Sequence, residues 1–83
     1  MNTYLNVILR NNANNVAKRF KEMMQSRTDV QSCNFYKADC CVLHLQLENA
    51  FSLENFIQEA LTSTGMVKGI KLGQRYRQLA ELE

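Results

Sequence analysis

The strongest constraint in this sequence is a run of strict alternation. Cys41, Leu43, Leu45 and Leu47 are apolar at every second position, and Cys40, Val42, His44, Gln46 and Glu48 stand between them. Successive side chains of an extended chain point to opposite faces, so the segment predicts a strand with its leucines in a core and its other side turned away. Leu5, Val7 and Leu9 repeat the pattern against Tyr4, Asn6 and Ile8 and predict a second strand of the same kind. Strands that commit one face to a core need something to cover it.

Two helical stripes supply the cover. After an asparagine-rich stretch at residues 11–15, with turn and N-cap chemistry, the apolar positions shift to Ala13, Val16, Ala17, Phe20, Met23 and Met24. The far side of that helix carries Asn15, Lys18, Arg19, Glu22, Gln25 and Ser26, with Lys18 and Glu22 spaced for an ion pair. Arg27, Thr28 and Asp29 close it. Ser52 is the expected cap of the second helix, with Leu53, Phe56, Ile57, Ala60 and Leu61 as its stripe, Glu54 in its first turn and Gly65 as its stop.

The remaining segments are less regular. Residues 30–36 are rich in β-formers but have no decisive inner face, so their orientation follows from a hairpin with the leucine strand. A three-residue loop at Lys37, Ala38 and Asp39, with Asp39 left-handed, pairs Tyr36 with Cys40 and sets Phe35 across from Cys41 and Cys33 across from Leu43. A two-residue loop at Ala38 and Asp39 would place Cys33 opposite His44 instead. Residues 67–72 predict a fourth strand, which Gly69 and Gly73 mark as a sheet edge. Residues 74–83 contain good helix formers without a breaker, and Tyr76, Leu79 and Ala80 fall on one side, predicting a short C-terminal helix.

The order β, α, β, β, α, β is that of the ferredoxin-like α+β sandwich, a four-stranded antiparallel sheet with two helices on one face. The expectation is therefore a single domain over residues 1–83 with the cleanest strands central, the second and fourth at the edges and the short helix at the end. A chain this small buries about two-thirds of its unfolded surface, so a second copy or a larger protein partner is expected to cover more of it.

Composition narrows the function classes. The net charge of +2 is neither that of a strongly basic nucleic-acid binder nor that of an acidic mimic. The longest apolar-looking run, residues 40–47, is interrupted by His44 and Gln46 and falls short of the roughly 20 residues a spanning helix requires, so no membrane association is expected. The first residues lack the pattern of a secretory signal, and three cysteines, an odd number, fit free thiols better than a disulfide framework. The expected location is cytoplasmic.

Chemistry-bearing clusters are sparse. Cys33, Cys40, Cys41 and His44 lack the paired short spacings of a zinc site, and Cys40 and His44 stand roughly 13 Å apart along an extended strand, too far to act as ligands or as nucleophile and base. The single histidine has no serine or carboxylate nearby in sequence, and Gly65, Gly69 and Gly73 form no phosphate-cradling loop. No catalytic residue, metal or cofactor is expected, and the chain reads as a non-enzymatic module.

Two surfaces remain. Tyr4, Asn6, Ile8, Tyr36, Val42 and His44 predict a mixed aromatic, aliphatic and polar sheet face, and Tyr76 on the C-terminal helix joins them as a protein-interaction residue. The first alternative is a nucleic-acid-binding regulator in which Arg10, Lys68, Lys71, Arg75 and Arg77 hold phosphates. In that respect the sheet resembles those that stack aromatics of their central strands on RNA bases. Tyr4 is suitably placed, but Cys40, Val42 and His44 replace the aromatics expected on the third strand. A small-molecule sensor with a pocket between subunits is the second alternative.

Overall fold

The computed structural model describes residues 1–10 and 15–79. Its elements are β1 (Asn2–Leu9), α1 (Val16–Gln25), β2 (Val30–Lys37), β3 (Cys40–Gln46), α2 (Ala50–Phe56), β4 (Val67–Leu72) and β5 (Arg75–Gln78). Past α2 the backbone continues through a π-helical segment, Ile57–Leu61, and a 3₁₀ turn, Thr62–Thr64. The five strands form one sheet in the order β2-β3-β1-β4-β5, every neighbouring pair antiparallel. The fold is thus mixed α+β, and no helix among the described residues is long and apolar enough to cross a membrane.

The alternation places the core. Leu5, Val7 and Leu9 of β1 and Cys41, Leu43 and Leu45 of β3 are fully or almost fully buried, and they cluster with Phe20 and Met24 of α1 and with Phe56, Ile57 and Leu61. Both helical segments therefore pack on the leucine side of the sheet. Each of the buried leucine and valine side chains contributes about 1.5–3 kcal/mol of hydrophobic burial, and both cleanly alternating strands lie inside the sheet rather than at its edges.

Several local expectations are corrected. The C-terminal helix is absent over the described part of residues 74–83: residues 75–78 form β5, while Ala80 to Glu83 lie outside the described residues. Gly73, at φ 60°, makes the left-handed turn that folds the chain back, and pairing along β4 then outweighs the helix propensity of the tail. The sheet consequently has five strands rather than four, and β4 is interior.

The β2–β3 hairpin keeps the expected core register, Cys33 opposite Leu43 and Phe35 opposite Cys41, by a different route. Lys37, rather than Tyr36, pairs with Cys40 across a tight Ala38-Asp39 turn, and Tyr36 is the extra residue of a bulge. Neither Ala38 nor Asp39 is left-handed. A two-residue turn alone would have reversed the strand's faces, and the bulge restores them. A second irregularity between Val30 and Ser32 lets Val30 turn back into the core.

The helix ends differ as well. The cap of α2 is Asn49, whose side chain accepts the Ser52 N–H at 3.0 Å, so Ser52 lies inside the helix and Glu54 beyond its first turn. Asn15 precedes α1 at φ 72° without a side-chain cap bond, and Ala13 lies outside the described residues. Met23, expected in the stripe, is exposed, and no ion pair joins Lys18 to Glu22. Gly65 ends the second helical segment at φ 72°, as expected.

Candidate functional site

The face opposite the helices is built by the same alternation that fills the core. Cross-strand partners share a face, so the pairs Tyr4–His44, Asn6–Val42 and Ile8–Cys40 across β1 and β3 all point away from the leucines. Ser32 and Asn34 extend the row onto β2, and Lys71, paired with Asn6, extends it onto β4. Tyr76 pairs with Lys71 and lies on this face too. The expected interaction residues therefore occupy one surface, although Tyr76 reaches it from a strand rather than a helix.

The aromatic residues are organised rather than scattered. Tyr4 stacks on His44 with ring centroids 4.6 Å apart and planes 15° from parallel. The Tyr36 hydroxyl donates to Asn6 Oδ1 at 3.2 Å, which carries its ring from the edge strand across β3. The Tyr76 ring covers Gly69, where an added Cβ would stand 2.4 Å from the phenol oxygen. A glycine in a strand leaves a bare strip of backbone, and a neighbouring aromatic that lies over it restores the lost contact. Tyr4, Tyr36 and Tyr76 nevertheless remain 64%, 56% and 49% exposed.

Charge is scarce here. Among the strand residues paired onto this face the charged ones are lysines, Lys37 and Lys71, and no carboxylate is present. Asp39 sits at the rim in the hairpin turn, where the Cys40 thiol donates to its Oδ1 at 3.3 Å. Partial burial, reinforced by that carboxylate, raises the Cys40 thiol above its ordinary pKa. Partial desolvation, and then the neighbouring Cys40, also raises the Tyr36 phenol. Both groups are neutral at about pH 7 at their ordinary pKa values, and the shifts extend that neutrality to higher pH.

On the core side, Cys33 and Cys41 are buried and lie diagonally across β2 and β3. The interaction between the two thiols lowers the Cys33 pKa and raises that of Cys41, where burial adds to the effect. All three cysteines are free thiols, and the described residues contain no group of three or more metal-ligating side chains.

The basic residues do not gather into one surface. Arg10 is half-buried at the end of β1, and its backbone N–H donates to Met66 O. Lys68 falls where the β1–β4 register shifts, and Lys71 points to the open face. Arg75 and Arg77 pair with Leu72 and Ile70 and so lie on the helix side. There Arg77 reaches Glu54 of α2 at 2.8 Å.

One participant carries little sequence signal: Gly69 resembles an ordinary strand interruption until Tyr76 is seen above it. Phe51, on the first turn of α2, is 81% exposed but lies on the helix side, away from this face.

No protein-family model, curated protein or solved structure gives a significant match to this chain.

Proposed function

We propose that the chain is a non-enzymatic protein-interaction module, of ferredoxin-like βαββαβ type with one added strand, and that its open sheet face receives a second copy of itself. The observation that carries this reading is the chemistry of the face: three exposed tyrosines and half-buried Ile8, Val42 and His44, with no carboxylate among the paired strand residues. Interface centres are enriched in tyrosine and depleted in charged residues, and an almost uncharged surface meets its own copy with little repulsion. The helix side has buried most of its apolar stripes, with Met23 and Phe51 exposed singly, whereas the three exposed tyrosines share the open sheet face. Reading this face as a nucleic-acid platform has less support, because Arg75 and Arg77 lie on the opposite side and two lysines supply little phosphate neutralisation.

Dilution followed by amide NMR tests the proposal. Concentration-dependent shifts are expected to concentrate on Tyr4, Asn6, Val42, His44 and Tyr76. Shifts confined to the helices, or none over a wide dilution series, would overturn it, as would salt-sensitive uptake of single-stranded RNA on these same residues without self-association.

A further inference from the structure

On the other side of the sheet, all four residues of β5 are exposed. Ile70 is covered by the core, but Leu72 is only partly covered, and the chain leaves a cavity of 340 Å³ lined by Ile70, Leu72, Arg75, Tyr76 and Arg77. Its volume lies at the small end of the range for ligand sites. The cavity joins an apolar floor to two guanidinium groups. Arg77 is taken up by the Glu54 carboxylate, with contacts of 2.8 and 3.1 Å from one nitrogen to both oxygens. Arg75 has no ion-pair partner among the described residues.

We propose that this cavity binds a small apolar monocarboxylic acid, with its carboxylate on Arg75 and its hydrocarbon on Leu72 and Ile70. Charge selects the class. Two arginines less the Glu54 carboxylate leave one cation in surplus, which matches a monoanion and opposes a phosphate dianion. The planar guanidinium of Arg75 can present two N–H donors to the two oxygens of a carboxylate, a geometry that favours a carboxylate over a spherical anion. The floor requires an apolar body, because an inorganic anion would leave Leu72 uncovered and gain only an exposed ion pair. Arg75, Arg77, Ile70 and Leu72 lie across the sheet from Tyr4 and His44, and Tyr76 alone belongs to both surfaces, so shifts at the other residues separate ligand binding from self-association.

Octanoate is a suitable probe, followed by amide NMR on the whole chain, with octylamine and inorganic phosphate as controls. Saturable shifts at Ile70, Leu72, Arg75 and Arg77 are expected with octanoate and with neither control. Arg75→Gln keeps much of the exposed stem and removes the charge, and is expected to weaken octanoate by about tenfold, the loss of one charge-assisted contact. Tyr4→Asp, on the opposite face, is expected to bind octanoate as the parent chain does. Equal octanoate binding by the Arg75→Gln protein, equal shifts with octylamine or phosphate, or shifts confined to the open face would each overturn the assignment.

Discussion

At the scale of single residues, two contacts decide how the open face is presented. Tyr76 and Gly69 form one unit, since the ring occupies the space a side chain at residue 69 would take. Tyr76→Ala is expected to cost about 1 kcal/mol in chemical denaturation, the upper range for a cross-strand pair. Gly69→Ala is expected to displace the ring, so the double variant should be less destabilised than the two single changes summed. Additivity would show that the ring and residue 69 do not interact. Cys40 supplies a second test. Its thiol is half-covered, whereas Cys33 and Cys41 are buried, so alkylation of the native protein should reach Cys40 first. A raised pKa means less thiolate at a given pH, so the reaction should be slower at mildly alkaline pH than for an unhindered thiol. Asp39→Asn removes the nearby negative charge, lowers that pKa and should speed the reaction. No change in rate would show that the carboxylate does not act on the thiol.

At the scale of elements, the alternation of β1 and β3 is legible in the sequence because each apolar position there has a single available face, and Leu5, Val7, Leu43 and Leu45 are all buried as the pattern requires. The same rule assigns Tyr4, Asn6, Ile8, Val42 and His44 to one surface from their spacing alone. The β5 strand is not legible in this way. Arg75–Gln78 have helix-forming side chains, and their extended form depends on hydrogen bonds to β4 that no local pattern announces. The hairpin is half legible: burial demands Cys33 opposite Leu43, but whether a longer loop or a bulge achieves it depends on turn geometry. Capping is displaced by one turn because Asn49 and Ser52 are both good cap residues and Ser52 stands nearer the apolar stripe. Asn49→Ala is expected to lower stability by about 1 kcal/mol and Ser52→Ala by much less, measured by urea denaturation. Equal losses would mean that the Asn49 cap does not anchor α2.

At the scale of the whole molecule, the sheet separates two chemistries. One side buries the leucine and cysteine rows beneath the helices and leaves an arginine-lined cavity beside β5. The other side presents tyrosines, amides and a stacked histidine with few charges. A small domain with one uncovered face gains stability when that face is buried, so association and folding should be linked and thermal midpoints should rise with protein concentration. The most direct measurement is sedimentation equilibrium of the parent chain and of Tyr4→Asp, which places a carboxylate at an exposed position in the centre of the proposed contact. The account predicts a dimer for the parent and dissociation strengthened by about tenfold or more in the variant, the loss expected from an interface anchor. A parent chain that stays monomeric at every concentration, or a Tyr4→Asp protein that dimerises equally well, would contradict it.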